Sequence, residues 1–432
     1  MDKNAWKSSV PPESGFSLES LLPPKDDTDI LVNLYLDRFE QLHRIVHIPT
    51  FKKDYASFWM SGPPQHSGTA ALVLSMISIS ACTYITSNGS KSTPSKYRAM
   101  AVQWISACDE WIRQQSPKQG KLKQYQISCL VYLAKRMNII KKKRYWQETG
   151  ALMQNAVMDN LHRDEGPPAE SPYMKEMKRR IWVVIRELDL QNAFEYGLPS
   201  LLYNLDSNSA TPMNINDENL NETSSELPLS RPPSQYTSTS YQYHSSQTWD
   251  LRLGIARRLF NAGPSGTIDF QDVLRYTHEI TQAIHSLPSW DIDDVKDGHE
   301  QQLPILSYSF LHFQLQECLF TIHRPYLWRE NSEFWLSANV CYHIARDVLL
   351  MNTKLANSGL QSLTSLREDL FFASLTISRI TMLESPRKSS LHSSPEVYVF
   401  RVFQLASIDP SRFSNTERRF HIYHYDELYS HT

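Results

Sequence analysis

Glycine is scarce, with 13 residues in 432. That argues against glycine-rich phosphate loops, which need a backbone free of side chains, and against turn-dense all-β folds. Cysteine is scarcer. The five are Cys82, Cys108, Cys129, Cys318 and Cys341, and no two of them form a Cys-x-x-Cys. Their number is odd and each sits in an apolar helical pattern. Buried, reduced thiols of an intracellular protein are expected, not a disulfide frame or a zinc centre. Charge of one sign is lacking too. Lys and Arg number 44 against 46 Asp and Glu, a formal net charge of -2. A dedicated nucleic-acid surface shows a concentrated basic footprint, and nothing in this balance demands one. Long apolar runs are also missing. The most apolar stretch, Ala71 to Ile85, is shorter than the ~18 residues of a membrane span and carries several hydroxyls, so it predicts a buried helix. The first residues contain no continuous apolar leader. A soluble, non-secreted protein with no membrane partner is expected.

What is present is helical periodicity. Leu31, Tyr35, Phe39, Leu42 and Val46 fall at steps of four and three, one stripe of a helix. Asp27 or Thr28 is a candidate cap for it, and Pro49 its stop. Tyr97, Ala101, Trp104, Cys108 and Trp111 make a second stripe, which Thr93-Pro94 would open as cap and first-turn proline. Leu122, Gln126, Cys129, Leu133 and Met137 make a third. Further helices are predicted near 145–161, 173–196, 249–260, 269–287, 303–323, 333–352 and 361–382. The fold class is therefore all-α, with successive helices suited to antiparallel pairs. Residues 1–26 are Pro/Ser-rich and expected to be disordered, and 27–383 form one helical domain. Residues 219–248, rich in Ser, Thr, Pro and Tyr, are nearly free of aliphatic side chains. Such a stretch buries too little apolar area to offset its ordering entropy, which predicts a long disordered insertion. The tail, 384–432, shows no clear period and is expected to be partly disordered.

Catalytic and metal signatures fail on spacing. There is no G-x-S-x-G, G-x-G-x-x-G or P-loop. His278-Glu279 finds its second histidine at His285, too far for H-E-x-x-H zinc ligation. His421 and His424 lack further ligands nearby. Asp293, Asp294 and Asp297 form a D-D-x-x-D, the spacing that holds magnesium in all-α terpene synthases. Its partner cluster is absent: the nearest match, at Asn216-Asp217, lacks the required Ser and Glu and stands in the wrong order. A solvated acidic loop explains the three carboxylates better. No catalytic residue, metal site or cofactor is assigned. Lys141, Lys142, Lys143 and Arg144 form a basic turn, either a nuclear localisation signal or a solvated corner. Arg179 and Arg180 flank the stripe Met174, Met177, Ile181, Val184 and Leu188. There they are placed to pair with Asp164, Glu187 or Asp189 and to lay their stems over aromatic rings.

Four blocks resemble the fungal-specific transcription factor domain, the middle homology region of fungal zinc-cluster regulators. Residues 35–59 resemble its entry helix and its His-x-Pro-Thr-Phe turn at His47, Pro49 and Phe51. Residues 161–202 resemble its core signature. They hold Leu-His-Arg-Asp at 161–164, Glu-x-x-Arg-Arg-x-Trp at 176–182, then Asp189 and Gly-x-Pro-Ser from Gly197 through Pro199. Residues 211–220, with Asn214 and Asp217, resemble the segment that follows. His323, Arg324 and Pro325 resemble the late Leu-His-Arg-Pro helix end. Asn160 stands where a glycine commonly precedes Leu-His-Arg-Asp. The family's zinc binuclear cluster, with six cysteines, is not among these residues. The resemblance implies a non-enzymatic, nuclear regulatory domain that controls a pathway or a secondary-metabolite gene cluster. Its expected partners are other transcription regulators or a second copy of itself, with a small-molecule effector. Sequence-specific DNA binding by this chain alone is not expected. The alternative is a full zinc-cluster factor whose N-terminal exon is missing, and more remotely a magnesium-dependent terpene-synthase-like lyase. His162, Arg163, Asp164, Arg179, Arg180, Trp182 and Asp189 are expected to form a polar seam between helices, since buried charges need partners.

Overall fold

The computed structural model describes residues 17–61, 67–83, 85–86, 93–94, 96–115, 121–140, 142–164, 170–202, 205, 207–260, 268–290, 302–327, 335–360, 366–367 and 369–384. The chain divides into two compact units, Met1–Cys318 and Leu319–Thr432. The fold is all-α. The exception among the described residues is a two-residue antiparallel pairing of Ile85–Thr86 with Thr93–Pro94. That pairing is where a cap for the second stripe was expected.

In the first unit, α1 (Lys25–Leu34) runs through a π-turn (Tyr35–Phe39) into α2 (Glu40–His43). The predicted stripe is buried throughout: Leu31, Tyr35, Phe39, Leu42 and Val46 are each at most 1% exposed. The helix stops at Arg44, whose φ of 46° is left-handed, rather than at Pro49. Pro49 instead lies in the first turn of α3 (Ile48–Ser61), where a missing N–H leaves no helical bond unmade. The start also differs from expectation. Pro24 precedes the first turn without a side-chain cap, and the Thr28 hydroxyl donates to the Pro23 carbonyl at 3.0 Å. Within the stretch expected to be disordered up to residue 26, Leu18–Leu21 form a 3-10 turn. The Leu21 carbonyl accepts from the Trp104 indole at 3.0 Å. The remainder of that stretch, 1–16, lies outside the described residues.

α4 (Ser67–Ser80) is buried from Thr69 to Ser80 on every face, as its continuous apolar sequence predicts. It packs against α5 (Lys96–Gln114) and α6 (Lys121–Met137). Its serines cross the core by donating to carbonyls one turn back: Ser75 to Ala71 and Ser78 to Leu74, both at 2.7 Å. α7 (Tyr145–Met158) is followed by Asn160, whose φ of 58° supplies the left-handed turn for which glycine is usual. α8 (Pro172–Tyr196) begins with Ser171 capping the Met174 N–H at 3.3 Å and a first-turn proline. It ends at Gly197 with φ 64°. α9 (Ser240–Gln247), α10 (Trp249–Phe260), α11 (Phe270–His285) and α12 (Gln302–Leu327) follow. In the second unit, α13 (Trp335–Asn357) packs on α14 (Asp369–Glu384). The tail from 385 lies outside the described residues.

The expected disorder of 219–248 is overturned. α9 occupies its end, and Thr237, Thr239 and Ser240 are at most 1% exposed. The segment orders through hydrogen bonds of its polar side chains, with limited apolar burial of Leu220 and Leu227 against Tyr173 and Met177. Asn214 is the hub: its amide donates to the Pro232 and Gln235 carbonyls at 3.0 and 3.1 Å. Its Oδ1 accepts from Thr237 and Ser240 at 2.6 and 2.9 Å. Thr239 accepts from the Ile215 N–H at 2.9 Å and donates to the Met213 carbonyl at 2.6 Å. The bonds to the Pro232, Gln235 and Met213 carbonyls and to the Ile215 N–H satisfy main-chain groups, and those between Asn214 and the Thr237 and Ser240 hydroxyls satisfy the side chains that make them.

Candidate functional site

The buried charges of α8 converge on Asp217. Arg180 is 0% exposed. Its Nη1 donates to Asp217 Oδ1 at 2.7 Å and its Nε to Glu176 Oε1 at 3.2 Å. Arg44 comes from the left-handed end of α2. Its Nη1 meets Asp217 Oδ2 as an ion pair at 4.0 Å. The Ile48 N–H donates to the same Oδ2 at 3.0 Å. The His47 Nε2 lies 2.9 Å from the Asp217 carbonyl. A carbonyl only accepts, so Nε2 carries the proton and Nδ1 accepts from the Thr50 hydroxyl at 2.9 Å. Glu40 completes the cluster, accepting from the Tyr35 hydroxyl at 2.6 Å and the Val46 N–H at 2.7 Å.

Electrostatics assign the charges. Burial pushes the Asp217 carboxyl up, but Arg44 and Arg180 outweigh it and hold it well below the usual carboxylate range. Burial raises Glu40 to about 8 against its bonds to Tyr35 and Val46 and its attraction to Arg44. Burial likewise raises Glu176, partly offset by Arg180. At neutral pH Glu40 is therefore protonated. The guanidiniums of Arg44 and Arg180 face Asp217 and Glu176, with Arg179 Nη1 3.8 Å from Glu176, and this close pairing of opposite groups is what permits their burial.

Arg180 pairs with none of the partners proposed from sequence, Asp164, Glu187 or Asp189. Those residues serve other contacts. Asp164 takes Arg179 in a two-bond fork, Nε at 2.8 Å and Nη2 at 2.5 Å, at a partly exposed edge. Glu187 takes both terminal nitrogens of Arg252, at 2.8 and 2.7 Å, with the Gln314 amide at 3.1 Å. Asp189 accepts from the Ser200 hydroxyl at 2.6 Å and the Leu201 N–H at 3.1 Å, and burial raises it to about 6. These contacts hold the Gly197–Pro199 turn, where the Pro199 carbonyl also accepts from Trp146 at 2.9 Å. His162 and Trp182 are buried with ring centroids 6.0 Å apart, and the Trp182 indole donates to Ser207 at 3.2 Å. Arg163 is exposed and does not enter the seam. The single expected seam is thus several separate contacts along α8.

Sequence reasoning missed Arg44, Glu40 and Glu176 as cluster members, although Glu176 was part of the quoted motif. Phe51 is buried and stacks on Tyr55 at 5.6 Å. In the second unit, His323 is 0% exposed and shares a hydrogen bond with Ser337 at 3.0 Å; burial lowers it to about 4. The Arg324 guanidinium lies 4.4 Å from the Phe372 ring centre, and Pro325 sits inside α12. In the basic turn, Lys142–Arg144 form a 3-10 turn and the Lys142 ammonium lies 5.9 Å from the Tyr196 ring centre. Lys142 thus has an aromatic neighbour, while Lys141 lies outside the described residues.

Asp217, considered above for a magnesium cluster, is engaged by Arg180 and Arg44. Asp293, Asp294, Asp297, His421 and His424 lie outside the described residues. None of the five cysteines forms a disulfide, and four are buried. Among the described residues, no three or more His, Cys, Asp or Glu are grouped to hold a metal ion, and no helix is long and apolar enough to cross a membrane.

Comparison with known proteins places this geometry. The profile of the fungal specific transcription factor domain matches residues 32–275, a span that holds Arg44, Arg180 and Asp217. Transcription factor opdR of Penicillium oxalicum is 30% identical over 331 residues, 74% of this chain and 41% of opdR. Transcription factor lepE of Aspergillus flavus is 27% identical over 381 residues, 84% of this chain and 44% of lepE. The pyrrolocin cluster transcription factor fsdR of a fungal species is 28% identical over 210 residues, 47% of this chain and 27% of fsdR. The chain spans less than half the length of these curated relatives.

Proposed function

Since the chain belongs to the fungal specific transcription factor domain family, we propose that it is the regulatory part of a nuclear transcription regulator. We further propose that it controls a pathway or a secondary-metabolite gene cluster. The observation that carries this reading is the family match, which encloses the whole Asp217 cluster. The names of the relatives support the gene-cluster context, fsdR being a cluster transcription factor. The role proposed for these residues is regulation rather than base reading. Their five cysteines contain no Cys-x-x-Cys, and their charge is balanced. Base recognition is therefore assigned to a partner or to protein sequence beyond these residues. Other transcription regulators or a second copy are the proposed macromolecular partners, and Lys143 and Arg144 the exposed part of a nuclear localisation signal.

The test is a tethered reporter. The full chain is fused to an unrelated DNA-binding domain and expressed in a fungal host beside that domain alone. Reporter output is expected to rise or fall several-fold on fusion. Output equal to that of the domain alone would overturn the regulatory reading. A fluorescent fusion checks localisation. Nuclear signal should fall when Lys142, Lys143 and Arg144 are replaced by alanine, and an unchanged distribution removes the basic turn from that role.

A further inference from the structure

A cavity of about 570 Å³ lies against the Asp217 cluster, between α3, α6 and the first turns of α8. That volume is typical of small-molecule sites. Val46, Phe51, Leu72, Leu122, Leu161 and Met174 give it an apolar wall. Among the described residues, the cations that line it are paired with carboxylates that also line it. Lys121 pairs with Asp159 at 2.5 Å, Lys123 with Asp54 at 3.4 Å, and Lys178 with Glu170. Tyr125 donates to Asp159 at 2.7 Å. Glu222, exposed, is the lining carboxylate outside these three pairs.

We propose that this cavity binds a neutral, largely apolar small molecule that carries hydroxyl or carbonyl groups. The charge inventory selects the class. An anion would have to break an existing ion pair while facing four carboxylates. A cation would find Glu222 at a solvent-exposed position, where water screens the attraction. A neutral molecule keeps every pair intact and gains the burial of its apolar body, with His47, Thr50 and Tyr173 as polar neighbours. The site is also joined to the cluster. His47 is both cavity wall and hydrogen-bond partner of the Asp217 carbonyl at 2.9 Å. The Tyr173 ring meets the His47 ring edge-on at 5.3 Å and opens the helix that carries Glu176 and Arg180. A bound molecule therefore braces both sides of the Arg180–Asp217 pair. This assignment rests on the regulatory reading and names the chemistry of its effector.

The probe is prodan, a neutral naphthalene ketone, titrated into the full chain, with the anionic naphthalene sulfonate ANS for contrast. Prodan is expected to show saturable one-site binding at least tenfold tighter than ANS. Leu122→Trp and Met174→Trp, which fill the cavity, should each weaken prodan at least tenfold with the parent's circular dichroism and melting retained. Leu229→Ala, at a side chain 93% exposed, should leave binding unchanged. A readout that needs no variant is amide exchange in the parent. Prodan should slow it in α3 and the first turns of α8. Unchanged exchange there, prodan binding undiminished in the folded cavity variants, or ANS binding as tightly as prodan overturns the proposal. The tethered reporter fails separately. A silent reporter with prodan binding intact removes the regulatory role but not the cavity. An active reporter without the prodan site removes the cavity alone.

Discussion

Arg180→Ala is the perturbation with the largest expected effect on folding. Arg180 is fully buried and reaches Asp217 at 2.7 Å and Glu176 at 3.2 Å. Truncation leaves Asp217 with the Ile48 N–H and with Arg44 at 4.0 Å, and Glu176 with the Met213 N–H at 3.2 Å and the Arg179 guanidinium at 3.8 Å. Removing one partner of a buried pair strands the other's charge in the interior, which costs ~3–5 kcal/mol. The control is Arg179→Ala on the next residue of the same helix. Its fork with Asp164 is 14% and 31% exposed at the two side chains, and its Nη1 stands 3.8 Å from Glu176, beyond hydrogen-bond distance, so the expected loss is ~1 kcal/mol or less. The assay is urea unfolding followed by tryptophan fluorescence, for which buried Trp104 and Trp182 are reporters. With a slope of ~3 kcal/mol/M, Arg180→Ala should lower the midpoint by about 1–1.7 M and Arg179→Ala by a few tenths. Equal slopes are required for the comparison. If Arg180→Ala unfolds within ~1 kcal/mol of the parent, a threshold set by the ceiling for exposed pairs, the cluster does not hold the fold. Residues 161–202 would then have to be read as an interaction surface.

Glu40 gives a pH signature. Its folded value, about 8, lies above that of an unfolded glutamate, ~4.3. Its stability contribution is therefore complete below about pH 4 and is lost as pH rises toward 8. The slope is ~1.4 kcal/mol per pH unit. Glu40→Gln should remove that slope in urea melts from pH 5 to 8, and an unchanged slope would refute the assignment. Gly197→Ala, at φ 64° with open space around its Cα, should cost ~1–2 kcal/mol through backbone strain alone. Gly197→Asn should cost less in the same melt, because asparagine tolerates that conformation. Elemental analysis of the purified chain should find no stoichiometric zinc, and any duplex binding in a mobility shift should vanish with added salt. One zinc per chain, or a salt-resistant complex, would refute this.

Local patterns were legible in the sequence and distant polar pairing was not. The stripe Leu31, Tyr35, Phe39, Leu42 and Val46 follows from spacing, and the all-round burial of α4 from its unbroken apolar run. That Arg180 is buried follows from its place beside Met177, Ile181 and Val184. Its partner does not, because Asp217 lies 37 residues on, across a loop. Glu187 and Asp189 were the candidates named from sequence, although Glu176, one turn back in helical register, was nearer and does pair with Arg180. Arg44 gives no local signal, since it enters the core through a left-handed backbone that its neighbours do not announce. The misreading of 219–248 has a different cause. Low aliphatic content measures how little apolar area a segment can bury. It does not count the hydroxyl and amide groups that can replace water on main-chain donors and acceptors. Asn214, Thr237, Thr239 and Ser240 make those bonds here, and they hold in place the strand of chain that delivers Asp217.

That delivery explains why the cluster is assembled from separated segments. Arg44 belongs to the end of α2, Glu176 and Arg180 to α8, and Asp217 to the segment after it. An apolar contact among the three could slide by an ångström with little loss, because dispersion is not directional. A buried, balanced set of charges cannot, since a displaced segment leaves a guanidinium or carboxylate without its counter-charge in a medium that screens poorly. The cluster therefore discriminates one arrangement of α2, α8 and residues 213–217 from its near neighbours. It does so through geometry more than through net stabilisation, which for buried ion pairs is often small. A cavity that shares His47 and the first turn of α8 with this cluster sits where a modest binding energy can bias which arrangement is held.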